Sequence, residues 1–225
     1  MMIRSTTPRL RLVTDATSEP VSLSDAKAFC RVDIPEDDAL ITSLITAARR
    51  YVEKQTGLAL KTQTWAAVLD NWPEGVKQGL GGPWWDGVRD APLSLVTPTT
   101  VIEISKRPFQ AVTNVKLRDA YGVLTTVDSS IYWTEVSDMR GRINRKLGQI
   151  WPVVIYAGSG AIEVTFTAGF DASPYEGVPD DLVTAIKVMV KHWYDFREPI
   201  TEGSVAKVPM HVGEILKNWM PMRLR

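Results

Sequence analysis

The residues with the means to do chemistry are few: two histidines, one cysteine and two places where acids stand side by side. A protein metal centre needs clustered His, Cys or carboxylate ligands. His192 falls in a helical pattern and His211 in a Pro/Gly-containing tail, and neither has a second ligand at metal-site spacing. Cys30 alone excludes an internal disulfide framework and a four-cysteine zinc site, and its apolar helical setting reads as a buried thiol. The acid pairs Asp37/Asp38 and Asp180/Asp181 open predicted helices. Consecutive helical residues point about 100° apart, so neither pair converges on a substrate as a general acid and base would. Gly158-Ser159-Gly160 is followed by a strand pattern, not the helix that a nucleophile elbow requires. Phosphate-cradling and dinucleotide-binding glycine patterns are missing. The reading is therefore no catalytic, cofactor or metal site, and not an enzyme.

The stretch from Val164 to Glu198 concentrates a histidine, acids and aromatics, and reads as scaffolding and interface. His192 stands beside the apolar stripe of a helix, and Trp193 and Phe196 are expected to anchor packing. Eight tryptophans raise the separate possibility of aromatic platforms, which bind sugars or stack on bases. Trp84 and Trp85 are adjacent in an aperiodic stretch and are the candidate partner-contact loop.

The elements that must position these residues follow from periodicity. Ser22 is a good N-cap with Asp25 three residues on, opening a short helix that ends near Val32. Leu40, Ile41, Leu44, Ile45, Ala48 and Val52 recur at helical spacing, giving a helix over 37–56 stopped by Gly57. Arg49, Arg50 and Lys54 lie toward its C-terminal end, where cations complement the helix dipole. From Lys61 the pattern turns β-like, with a long loop over 71–92. Several short β-rich runs follow, including a hairpin around the turn "DAYG". Pro179, Asp180 and Asp181 restart a helix with Leu182, Ala185, Ile186, Met189, Val190 and Trp193 as its stripe, ended by Pro199. The expected fold class is α+β, with N- and C-terminal helices packing as a bundle around an inserted antiparallel β region. The expected organisation is an arm over 1–20, bundle helices over 21–57, the β-rich insertion over 58–178, a bundle helix over 179–199 and a tail over 200–225.

Lys plus Arg equals Asp plus Glu at 26 each, which removes the cationic excess of a dedicated nucleic-acid binder. The first residues lack the apolar core of a signal peptide, and no apolar run approaches the roughly 20 residues that span a bilayer. The chain reads as soluble, without membrane association, and made in the cytosol.

Five blocks in order, "VSLSDAKAFCRVD…EDDALITSLITAARRYVEKQTG", "KRPFQAVTNVKLRDAYG", "VTFTAGF", "VPDDLVTAIKVMVKHWYDFRE" and "VPMHVGEILKNWMPMRLR", resemble tailed-phage head-tail connector (adaptor) proteins. These are the gp6-like family with its larger prophage and gene-transfer-agent relatives, and the resemblance runs from Val21 to Arg225. It implies a structural virion protein at the neck, made in the host cytoplasm. It further implies a homo-oligomeric ring, usually dodecameric, between the portal protein and a stopper or tail-completion protein, with DNA passing through the lumen without specific binding. In the family the C-terminal segment engages the portal. Carried over, this makes Val208, Pro209, Ile215, Leu216, Trp219, Met220, Arg223 and Arg225 the docking residues, with the apolar four in "ILKNWM" as anchors. The basic residues Arg140, Arg142, Arg145 and Lys146 of "MRGRINRK" read as a wet strand face or a subunit interface, with exposure to the lumen as the alternative. The competing expectation is a tail-associated carbohydrate- or receptor-binding module using exposed tryptophans.

Overall fold

The computed structural model describes residues 8–73, 101–155, 158–172, 175–196 and 210–220. The chain forms two compact units and passes between them three times, so that residues 15–63 and 168–225 make one unit and residues 1–14 and 64–167 the other.

The first unit is helical. Ser22 caps α1 (Leu23–Cys30), its hydroxyl accepting the Asp25 amide, and Arg31 closes the helix in the left-handed region. The second helix, α2 (Asp38–Thr56), buries Ile41, Ile45, Ala48, Arg49 and Val52 along one stripe. Gly57 ends it at φ 73°, a conformation that costs a side-chain-bearing residue but not glycine. Pro179 precedes α3 (Asp180–Asp195), whose Leu182, Ala185, Ile186, Met189 and Val190 are buried. A fourth helix, α4 (Met210–Trp219), packs on α2 and α3, while α1 packs on the same two.

The second unit holds two sheets. Strands β1 (Arg9–Thr14), β2 (Gln63–Leu69), β4 (Phe109–Arg118), β5 (Leu124–Thr126) and β8 (Ile162–Ala168) form the larger, in the order β1-β2-β8-β4-β5. Along β8 the residues Ile162, Val164, Phe166 and Ala168 are buried in strict alternation, the period of a strand with one core face. Asp119 builds the β4–β5 turn by accepting the amides of Tyr121 and Val123. The smaller sheet has the order β3-β7-β6, from β3 (Ile102–Ile104), β6 (Tyr132–Ser137) and β7 (Arg140–Arg145), all antiparallel. In the helical unit, β9 (Asp171–Ala172) and β10 (Tyr175–Glu176) form a short antiparallel ribbon.

The mixed α+β reading stands. The sequence reading treats residues 1–20 as an arm, yet 9–14 pair with β2, with a bulge between Leu12 and Thr14. "RLRLVT" is exposed along almost its whole length, so it lacks the one-sided burial that marks a strand. Residues 58–63 and 168–178 group with the helices, inside the span assigned to the β insertion. The helix of 180–195 stops before Pro199, which lies outside the described residues. Phe196 does not anchor packing there: it is 63% exposed, its ring 5.0 Å from that of His192.

The two sheets meet at Phe109. Its ring stacks on Phe166 at 5.9 Å and covers Gly141 of β7, where an added Cβ would stand 2.4 Å from the ring. Because Phe109 is itself buried, it has nowhere to retreat. Gly141→Ala is expected to lower stability by about 1–3 kcal/mol through overpacking, read from chemical denaturation. An unchanged midpoint would mean that the sheets separate freely at this point.

Candidate interaction site

Several residues with chemical potential are absorbed into structure. Cys30 is buried, and burial pushes its thiol above the ordinary value. Asp38 pairs with Lys27, and Asp37 accepts the Tyr194 hydroxyl, so the two adjacent acids serve different neighbours. Asp181 accepts the Trp219 indole N–H at 2.7 Å. His192 is half-buried beside Phe196, and His211 is exposed. Among the described residues no group of three or more His, Cys, Asp or Glu is placed to hold a metal ion.

The C-terminal residues expected to dock a partner divide sharply. Val208, Pro209, Arg223 and Arg225 lie outside the described residues, as do Trp84 and Trp85. Ile215, Leu216 and Trp219 belong to α4, with Met220 directly after it. Leu216 is buried with Val212 in its own unit, so it is not a free anchor. The physical reason is local: ten residues in helical phase bury their most apolar face on the nearest helices, α2 and α3. Trp219 is half-buried, meeting Phe170 edge-on at 6.2 Å in addition to its bond to Asp181. Met220 is 39% exposed and remains available. Of the other described tryptophans, Trp133 on β6 is exposed, whereas Trp72 and Trp151 are buried and stacked on each other at 4.3 Å.

Arg49 is the largest departure from the sequence reading. It does not face solvent as a partner of the helix dipole but is 2% exposed and surrounded by acids. Its Nε donates to Glu19, and its two terminal nitrogens reach both Asp15 oxygens at 3.0 and 3.4 Å. Glu53, one helical turn along α2, takes a further bond at 3.2 Å. The other Glu53 oxygen accepts the Leu60 amide and the Gln63 side-chain amide. The Arg49 guanidinium holds Asp15 at about 2, against a smaller opposing effect of burial. A second polar clasp lies at Asp171, which accepts from the Lys61 ammonium and the Thr62 amide, both at 2.8 Å. Burial raises that carboxyl, but these donors bring it below its ordinary value. No short-range pattern reveals the cluster, because the partners of Arg49 stand 30 and 34 residues away in sequence.

Residues 20–119 match the family described as "Phage gp6-like head-tail connector protein". This is the connector family that the sequence blocks resemble. The match covers α1, α2, β2, β3 and β4, and so includes parts of both units. Solved structures agree on the fold. A chain of the "Neck of empty GTA particle computed with C6 symmetry" is similar with a TM-score of 0.70 at 23% identity, covering 96% of this chain and 97% of that one. A chain of the "Virion of native gene transfer agent (GTA) particle" is similar at 0.68 and 24%, with the same coverage. A third, from the "Neck of native GTA particle computed with C12 symmetry", stands at 0.63 and 24%. No curated protein matches the chain. The connector segment thus contains Arg49 and Glu53, while Asp15 and Glu19 precede it.

Two outcomes follow for the Arg49 cluster. Arg49→Met leaves carboxylates without their cation and is expected to cost about 3–5 kcal/mol, measured by denaturant unfolding. A loss under about 1 kcal/mol would show the cluster to be dispensable. Asp15 is depressed in the folded chain, so its contribution is fully present above the ordinary value of 3.8 and disappears as pH falls through about 2. Thermal melting between pH 7 and pH 2 should therefore fall less steeply at the acid end in Asp15→Asn, which starts lower at pH 7.

Proposed function

We propose that this chain is a structural neck protein of a phage-like particle, a head-tail connector that assembles into a ring between the portal and a stopper or tail protein and encloses the DNA path. The observation that carries this reading is the connector-family match over 20–119, joined to a fold shared over 96% of the chain with a chain of a particle neck. The ring is supported by the C6 and C12 symmetry in the names of two of the similar neck structures. Catalysis is not part of the proposal: Cys30 is buried, and Asp37, Asp38 and Asp181 have structural partners. The balance of 26 basic and 26 acidic side chains suits a wall past which DNA moves without being held.

Docking to the portal falls to the C-terminal segment from Val208 to Arg225 in this proposal. The helix α4 presents Met220 and half-buried Ile215 at the surface, while Leu216 and Val212 fasten it to its own unit. Anchoring one side of a helix while the other meets a partner lowers the ordering cost of binding.

The test is binding of the purified full-length chain to its cognate portal, with the mass of the product determined. A multimeric complex with the full-length chain, and none with a chain ended after Glu202, is expected. Met220→Glu, at an exposed position that leaves the melting temperature unchanged, should weaken binding at least about tenfold. Equal binding by all three forms would move portal docking away from the C-terminal segment. No binding by the full-length chain would overturn the connector reading.

A further inference from the structure

Among the described residues of the β unit, one loop holds four strongly exposed aliphatic side chains. After β7 the chain runs "KLGQIWPVVI", and Leu147, Ile150, Val153 and Ile155 are 91%, 79%, 77% and 69% exposed. Scattered exposed aliphatics need no explanation, but four within nine residues are a contiguous apolar surface of the kind that marks an interface.

The loop is fixed rather than loose. Trp151 turns inward from its middle, stacking on Trp72 at 4.3 Å and on Tyr132 at 6.0 Å. The Trp72 indole N–H donates to the Pro152 carbonyl at 2.8 Å, and Arg145 donates to the Gln149 carbonyl. A pinned loop displaying aliphatic side chains loses little entropy when covered, which favours binding. Exposed Lys146 at the start of the loop, next to Arg145 at the end of β7, gives it a positive sign.

A matching surface of opposite sign exists on the helical unit. At the end of α1 and in the turn to α2, Phe29 and Ile34 are exposed large apolar residues, and exposed Asp33 and Glu36 outnumber the one exposed cation there, Arg31. This corner is pinned as well, because Lys27 reaches both the Ile34 carbonyl and the Asp38 carboxylate. The same complementarity holds for whole units. The β unit carries 13 basic and 10 acidic side chains, and the helical unit 13 and 16.

We propose that the loop Leu147–Ile155 of one copy seats on the acid-rimmed corner at Phe29 and Ile34 of the next copy, forming the repeating subunit contact of a ring. The proposal rests on the ring reading above and names the surface that makes it. Two different patches meeting head to tail give a heterologous contact, and such contacts close into rings. Opposite charge orients the encounter and opposes pairing of like patches, while aliphatic burial supplies the affinity. After inward Trp151, exposed Val153 and Ile155 flank half-buried Val154, which leaves the outward pair free for the neighbour.

Sedimentation velocity of the purified full-length chain over a concentration series tests this. Leu147→Asp with Val153→Asp replaces exposed side chains, so the melting temperature should hold while the concentration for half-assembly rises at least about tenfold. Lys146→Glu should do the same. Adding Asp33→Lys and Glu36→Lys to that second variant should restore assembly, which general loss of solubility or folding would not. If the unaltered chain assembles and the loop variants assemble equally well, the loop contact is overturned and the ring stands. If the loop variants assemble normally but lose binding to the portal, the loop belongs to that partner and the proposal is likewise overturned. A chain that stays monomeric throughout the series, alone and with portal, overturns the ring reading together with this contact.

Discussion

A guanidinium taken out of water has to be neutralised where it sits, and the helical unit is arranged around that requirement. Removing a charge from solvent costs several kcal/mol unless partners restore what water supplied. Arg49 collects its partners from separate stretches of chain, Asp15 and Glu19 before the first helix and Glu53 from its own helix. Glu53 then extends the constraint, since its second oxygen holds Leu60 and Gln63. The segments that enter and leave α2 are thereby tied to one point on that helix. Apolar packing of α1, α2 and α3 supplies the bulk of the burial, but it is non-directional and would tolerate small slides. The fork of five N–H donors on arginine does not, and it sets which residues lie where.

The connector family signature takes on a physical meaning in this light. Its span from 20 to 119 runs through α2 and across the junction at Gln63 and Thr64 into the sheets. It therefore describes a helix pair together with the way a β unit is attached to it. The shared fold with particle neck chains at 23–24% identity fits the same view. The fold is common to chains in which fewer than one residue in four is identical.

Features governed by near neighbours were legible in the sequence. Ser22 and Asp25 announce the first helix, the Ile41–Val52 stripe and Gly57 bound the second, and the acid-led stripe from Leu182 to Val190 gives the third. The β4–β5 hairpin was legible from alternation and the Asp-led turn. What escaped depended on distant partners. Trp72 lies in a stretch without period and is fixed by Trp151, about eighty positions on. The β6–β7 turn uses Asp138 and Met139 at φ 50° and 61°, where glycine or asparagine would have signalled it. In α4 only Val212 and Leu216 are buried, too few to reveal a helix that folds back on its own unit. The resemblance named the C-terminal residues as a set, with no sign of the division between inward Leu216 and outward Met220. The exposed loop after β7 carried a visible sign, an apolar run with a proline and no helical phase, whose meaning depends on Trp151 turning inward.

Gly169, at φ 152°, passes so close to the chain at Thr62 that a Cβ there would stand 2.6 Å from the Thr62 α-carbon. The strand leaving the helical unit and the strand returning to it are thus in backbone contact, clasped by Asp171. Seen as a matter of descent, a segment whose two ends are held together can be lengthened, shortened or exchanged without disturbing what lies below the clasp. The segment from 64 to 167 is an insertion whose two ends are held in the helical unit. Whatever the length of that segment, its two ends meet the same limit at residue 169, where a side chain has no room beside Thr62.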